Sequence, residues 1–286
     1  MISFKKSRTA SFAIIVAIYV LSAILGIIVY KNLDLAFYIN LLIADVAATA
    51  FVFLFSVILK NASVYDPYWS VQPIVILLAF ATGSKLTPLK LALLLAVLLW
   101  GVRLTANWGY TFKSLRHEDW RYELLRERTG PFYPIVNFVG IHMVPTLVVY
   151  LCILPAVAVM LGNAKENFIS YLALALSVGA VALQGFADVQ MHAFRKSGKG
   201  GFIREGLWKN CRHPNYLGEI LMWWGIGISA VAALGVNYLF LLIGAVANTA
   251  LFLFVSIPLA DGKQSKKVGY AEYRAQTRAL LPIPKK

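Results

Sequence analysis

The fold class this sequence predicts is all-α: a polytopic bundle of seven or eight transmembrane helices with both termini cytoplasmic. Three observations predict it. Hydrophobic residues make up 59% of the 286 and the mean hydropathy is +0.70, which excludes a soluble domain. Apolar runs recur along the chain at about 10–30, 36–59, 71–83, 86–110, 135–161, 168–190, 215–234 and 238–259, most of them near the ~20 residues a span requires. The bases also sort by side. With both termini cytoplasmic, 23 lysines and arginines fall on that side and four, Lys31, Lys85, Lys90 and Lys165, on the other, a strong positive-inside bias. The net charge of +14 therefore reads as a topology signal and not as a nucleic-acid footprint.

The elements follow in order. Lys5, Lys6 and Arg8 precede the run 10–30, too long for a signal-peptide core, so it reads as the first transmembrane helix. The second span carries Asp45, an intramembrane carboxylate and hence a functional candidate, with a hydrogen bond from its Thr49 face as the plainer role. Asp66-Pro67 reads as an N-cap and first-turn pair opening the third span, which is short, bounded by Pro73 and Gly83, and tilted or re-entrant. The stretch around Glu118 and Asp119 is arginine-rich and amphipathic and is expected to rest on the membrane surface. Cys152 lies in an apolar run and Cys211 in a basic loop, so no disulfide framework is read. Without repeats or linkers, residues 1–286 form a single transmembrane domain.

Three spans carry polar stripes toward the cytoplasmic side. Arg103 and Asn107 are one turn apart on the fourth, with Tyr110 and Thr111 on the next. Gln184, Asp188, His192 and Arg195 line one face of the sixth, and Asn215, Glu219 and Trp223 share a face of the seventh. In lipid such stripes must face each other or water. Ion pairs such as Asp188 with Arg195 or Arg103 with Glu219 would fix packing alone; three stripes at one depth favour a site. Pro214 suits the first turn of the seventh span, so the helix starts around His213 with Arg212 beside it and aims its positive end at the cytoplasm, an anion site. Arg195, Lys196, Lys199, Arg204 and Lys209 are further phosphate ligands or plain topology signals. Trp208 stacks on a base or anchors at the interface. The histidines, His117, His142, His192 and His213, show no helical metal spacing, so no metal site is expected. There is no phosphate-binding G-x-x-x-x-G-K-[ST] loop, and Gly198, Gly200 and Gly201 follow a membrane helix instead of a strand.

The motif G-L-W-x-x-C-R-H-P-N-Y-x-G-E (Gly206 to Glu219), with Asp188 to Lys196 before it and Tyr270-Ala-Glu-Tyr273 and Arg278 to Pro282 after it, resembles the C-terminal half of the steroid 5-alpha-reductase and sterol-reductase superfamily. Asn61 to Pro73 and Glu118 to Tyr122 resemble an uncharacterised bacterial branch of it. The resemblance implies an NADPH pocket in a cofactor half, 175–283, contacted by Asp188, Arg195, Asn215, Tyr216 and Glu219, joined by Arg103; His213 falls inside the motif. Asn107 and Arg212, on the stripes and at the helix start, complete the candidate cofactor-binding set. A substrate and proton-donor half, 35–134, is expected before it. The steroid enzymes place a tyrosine three residues before the arginine matched by Arg103, where this chain has Trp100, which carries no phenolic proton.

Reducing an alkene needs a hydride donor and an acid, and Asp66, flanked by Tyr65 and Tyr68, is the candidate acid assembly. The expected protein is a membrane-embedded, NADPH-dependent reductase of a C=C bond in a hydrophobic steroid-, isoprenoid- or lipid-like substrate entering from the bilayer. It would sit in a bacterial inner membrane with its active site facing the cytoplasm. Two alternatives stand. Isoprenylcysteine and phospholipid methyltransferases share R-H-P-x-Y-x-G and use S-adenosylmethionine, and a lipid-binding protein without catalysis would keep only the pocket.

Overall fold

The computed structural model of the chain describes residues 3–283; Lys285 and Lys286, counted above among the cytoplasmic bases, lie outside them. Helices account for the architecture: α1 (Arg8–Lys31), α2 (Phe37–Ile58), α3 (Tyr68–Thr82), α4 (Pro88–Thr111), α5 (Trp120–Thr129), α6 (Tyr133–Val136), α7 (Val144–Leu161), α8 (Phe168–Lys196), α9 (Pro214–Leu234), α10 (Ile243–Leu251), α11 (Ile257–Gln264) and α12 (Tyr270–Gln276). Among the described residues seven segments are long and apolar enough to cross a membrane, including Trp120–Leu161 and Val236–Gln264 as continuous rods. The chain is a multi-pass integral membrane protein whose outer faces meet lipid. α3, at 15 residues, is the short eighth element. It starts earlier than its apolar run, so Pro73 lies inside the helix and not at its boundary.

Local chemistry sets the helix ends. Ser7, Thr87 and Asn167 accept backbone N–H groups as N-caps of α1, α4 and α8, satisfying donors that a helix start leaves orphaned. Pro88 and Pro214 occupy first-turn positions of α4 and α9, where a missing N–H is harmless. Gly235, at φ 104°, ends α9 in a backbone region other residues avoid. Two π-helical stretches, Asn137–Met143 and Phe252–Ser256, interrupt the Trp120–Leu161 and Val236–Gln264 rods.

The loops sort to two ends. At the arginine-rich end, Arg8 donates to the Gly109 carbonyl, Asn61 to those of Leu115 and His117, and the backbone of Arg212 to that of Arg278. At the opposite end Lys90 and Ser84 both donate to the Met160 carbonyl and Asn167 to that of Ala232. The most extensive helix pairing joins α8 and α9. A Cβ at Gly225 would stand 2.6 Å from the Ala173 carbonyl oxygen, and one at Gly218 2.7 Å from that of Ala180. Bare glycine lets the two helices touch there, and that contact sets the spacing of the polar residues one turn further on.

Candidate functional site

At the arginine-rich end, α4, α8 and α9 present their polar stripes to one another. The Arg103 guanidinium donates to Asp188 at 2.6 Å and lies 3.9 Å from Glu219. Arg103 therefore takes both carboxylates, and Arg195 is left exposed at the end of α8. Glu219 is enclosed: the Trp100 indole N–H spans its two oxygens at 2.9 and 2.8 Å, Trp223 donates at 2.9 Å and Gln184 at 3.3 Å. These donors offset part of the cost of burying the carboxyl group. One turn nearer the surface, Asn107 and His192 share a 2.7 Å hydrogen bond, and Tyr110 packs edge-on against the His192 ring.

Arg212 and His213 face inward, contrary to the anion site expected at this helix start. Arg212 pairs with Asp261 at 3.0 Å and donates to the Thr277 carbonyl at 2.5 Å. His213 meets the same carboxylate at 2.9 Å, and the Tyr270 hydroxyl donates to it as well. The guanidinium is spent on the C-terminal segment. The helix start is also partly used, because the N–H groups of Tyr216 and Leu217 already bond the His213 carbonyl. Tyr216 stacks on His213 with rings 5.1 Å apart and 8° from parallel, and the Asn215 side-chain oxygen is buried without a donor. Trp208 is neither a stacking platform nor an anchor: it is buried and donates to the Ala187 carbonyl at 3.1 Å.

Cations rim this end. Lys263 lies over the Trp120 ring at 3.9 Å and feels the charges of Lys267, Arg195 and Arg121. Partial burial, with Arg195 nearby, lowers the Lys267 ammonium below its ordinary value. Burial works against the Asp119 charge, but Arg121 and Lys263 outweigh it and hold that carboxyl below the usual range. The 118–122 stretch docks on the 61–66 loop. Glu118 accepts from the Ala62 N–H at 2.7 Å, and Ser63 accepts from the Asp119 N–H at 2.8 Å.

The proposed acid assembly is split. Asp66 does not cap α3, whose N-cap is Pro67; it accepts from the Tyr122 hydroxyl at 2.5 Å with Arg121 at 4.0 Å. Burial, only partly offset by Arg121 and Tyr122, raises its carboxyl to about 6. The Tyr65 hydroxyl meets Thr146 at 2.8 Å. Tyr68 alone of the three lines a cavity of about 250 Å³ between α1, α2 and α3. The cavity wall is apolar except for a few groups, among them Asp45 and Gln72. Both are buried, and neither side chain makes a hydrogen bond of ordinary length and angle, although the Gln72 amide lies near enough to act on the Asp45 carboxyl; the expected Thr49 bond to Asp45 is not made. Unpaired polar groups in such surroundings are costly. Gln72 escaped the sequence reading, although its place one turn after Tyr68 on α3 was a signal. The cavity also draws on α1, outside the predicted substrate half; Ile27 lines it and is 42% exposed on the outside of the bundle.

Fold and site together define a multi-pass membrane protein with a polar, cation-rimmed end and, deeper in the bundle, a mostly apolar cavity that runs toward the opposite end. Residues 52–277 match the family described as "Protein of unknown function (DUF1295)", and the chain belongs to that family. Asp45 and the whole of α1 precede the matched region. A fission yeast (Schizosaccharomyces pombe) protein described as uncharacterised is 28% identical over 200 residues, 59% of this chain. The match spans 57% of that relative's length. No solved structure matches.

Proposed function

We propose that this protein is a membrane oxidoreductase of the steroid 5-alpha-reductase type. It binds NADPH at the arginine-rich end and reduces a C=C bond, conjugated to a carbonyl, in a hydrophobic steroid-, isoprenoid- or lipid-like substrate. The arginine-rich end faces the cytoplasm, which in a bacterium places the protein in the inner membrane. One combination carries the reading: a cationic rim at one end of the bundle, and deeper in it, between α1, α2 and α3, a lipid-flanked cavity holding a buried carboxyl and amide.

The rim residues fit a phosphorylated dinucleotide in part. Arg121, Arg195, Lys263 and Lys267 gather enough positive charge for its phosphates, and the unpaired Asn215 oxygen is an acceptor for an N–H of the ligand. Arg212 and His213, tied to Asp261, hold the C-terminal segment in place and so shape the rim. The Arg103, Asp188 and Glu219 network fixes α4 against α8 and α9 beneath it. Bound there, NADPH supplies a hydride. In the cavity, Asp45 in its protonated form and the Gln72 amide both donate to the substrate carbonyl, which draws electron density from the alkene. Tyr68 contributes a third polar group to the same wall. The acid role thus moves from Asp66 to Asp45.

Titration of the purified protein with NADPH and, separately, with S-adenosylmethionine tests the reading through tryptophan fluorescence and thermal shift. NADPH alone should bind, and Arg195→Ala should weaken it by about tenfold, or ~1.4 kcal/mol. Asp45→Asn should leave binding intact and abolish turnover. A response to S-adenosylmethionine alone transfers the site to methyl transfer. A response to neither leaves a lipid-binding protein.

A further inference from the structure

Each hydride added to an alkene must be matched by one proton drawn from water, yet Asp45 lies inside the membrane and is only 4% exposed. Between Asp45 and the arginine-rich end stand three buried hydroxyls from three different parts of the chain. The Tyr65 hydroxyl, just before α3, meets that of Thr146 on α7 at 2.8 Å, and Thr146 meets Thr49 on α2 at 3.2 Å. Tyr65 is 2% exposed, Thr146 1% and Thr49 0%. Thr49 lies one helical turn from Asp45, on the same face of α2. At the other end Asp66 follows Tyr65 in the chain and is linked through Tyr122 and Arg121 to the cation rim.

The arrangement differs from ordinary helix hydroxyls. Thr111 and Thr129 return theirs to carbonyls of their own helices, the usual solution for such residues. Thr49 and Thr146 instead bond across the bundle. A hydroxyl both donates and accepts, so a row of them passes protons in a way that amides or apolar side chains cannot. Burial pushes the Tyr65 phenol up, and the charges of both Asp45 and Asp66 act on it, which places it electrostatically between the two carboxyls.

We infer that Tyr65, Thr146 and Thr49 form a hydroxyl relay that carries protons from Asp66 to Asp45 and recharges the acid after each turnover. This rests on the reductase reading for its purpose but not for its existence. Asp66, protonated from water, passes a proton to its chain neighbour Tyr65 by way of a bridging water. Each hydroxyl takes a proton from behind and passes its own forward, and the last proton crosses from Thr49 to the Asp45 carboxylate one turn away by way of a bridging water, since the two side chains share no direct hydrogen bond. No bond between heavy atoms changes, and one positive charge crosses the relay. Facing Asp45 are Tyr68 and Gln72 from α3, Tyr19 from α1 and Tyr150 from α7, with Lys31 at the cavity edge. Facing Asp66 are Tyr122, Arg121 and Asp119. The three relay residues are positioning residues, since none of them lines the cavity.

Hydrogen–deuterium exchange at the Asp45 carboxyl, followed by infrared spectroscopy after mixing full-length protein into heavy water, tests the relay without substrate. The Asp45 band is the carboxylic acid band absent from Asp45→Asn. Thr146→Val, which keeps the shape and removes the hydroxyl, should slow exchange at least about tenfold, and Thr146→Ser should restore it. Tyr65→Phe, which keeps the ring, provides a second variant and should slow exchange likewise. Exchange at the wild-type rate in both Thr146→Val and Tyr65→Phe overturns the relay, as does a missing acid band, because an ionised Asp45 has no proton to exchange. Failure of NADPH to bind, with exchange still slowed in the variants, removes the reductase reading and leaves the proton path standing.

Discussion

Removing one guanidinium should expose how the polar end is held together. Arg103 donates to Asp188 at 2.6 Å and stands 3.9 Å from Glu219, with side-chain exposures of 17%, 13% and 5%. Arg103→Met keeps most of the aliphatic packing but strands two carboxylates of the same sign. Breaking a buried pair by deleting one partner costs about 3–5 kcal/mol, and the loss should fall unequally. Asp188 loses its closest partner, whereas Glu219 keeps both indole N–H groups and Gln184. Double-mutant cycles with Asp188→Asn and Glu219→Gln should therefore give a coupling of about 2–3 kcal/mol for the first pair and under about 1 kcal/mol for the second. Denaturation in detergent, followed by intrinsic fluorescence, measures both. A larger coupling to Glu219 than to Asp188, or an Arg103→Met variant as stable as the wild type, refutes the assignment of Asp188 as the principal partner.

Two more expectations follow from the same end of the molecule. The Asp66 carboxyl, raised from 3.8 to about 6, holds its proton more tightly folded than unfolded. Its contribution to stability is therefore present below its ordinary value and lost as the pH rises toward and past about 6. Asp66→Asn should flatten that part of the stability profile in thermal denaturation across this range, and an unchanged slope counts against the raised value. Asp261→Asn leaves Arg212 buried without its counterion, and should cost about 3–5 kcal/mol while loosening the C-terminal segment. Limited trypsin digestion should then cut after Arg274 and Arg278 far sooner than in the wild type; equal cleavage times would show that the segment is held by something else.

The sequence made much of this legible because membrane rules are strict. Apolar length and the sorting of bases located the α1, α2 and α4 spans within a few residues, and Pro214 marked the start of α9. Period-3.6 spacing put Arg103, Asp188 and Glu219 at a shared depth, and lipid leaves such groups nowhere to turn except toward one another. Partner choice was not legible in the same way. Asp261, 49 residues after Arg212, belongs to no local spacing that points back to it, and it captures both Arg212 and His213. The docking of Glu118 and Asp119 on the 61–66 loop was hidden for a similar reason, since it is made through backbone N–H groups that the side-chain pattern does not report. Gln72 stood one turn after Tyr68 at the start of an apolar run, and that spacing marked its face of α3 but not the cavity it opens onto.

Trp100 shows how the two ends of the proposed site constrain each other. In enzymes of the steroid 5-alpha-reductase type proposed here, a tyrosine at that place is part of the substrate end, and Trp100 carries no phenolic proton. The indole N–H is not idle, however: it spans both oxygens of Glu219, and its ring packs edge-on against Trp223 at 4.8 Å. Position 100 has thus been drawn into the framework that holds α4 against α9. An acid for the substrate must come from elsewhere, and it must be buried, unsatisfied and open to an apolar ligand. Asp66 meets only the first condition, because Tyr122 and Arg121 already occupy its carboxylate. Asp45 meets all three, with Gln72 beside it in the cavity wall. On the reductase reading proposed here, with Trp100 committed to Glu219, the α1 to α3 cavity is the place where the acid has to be.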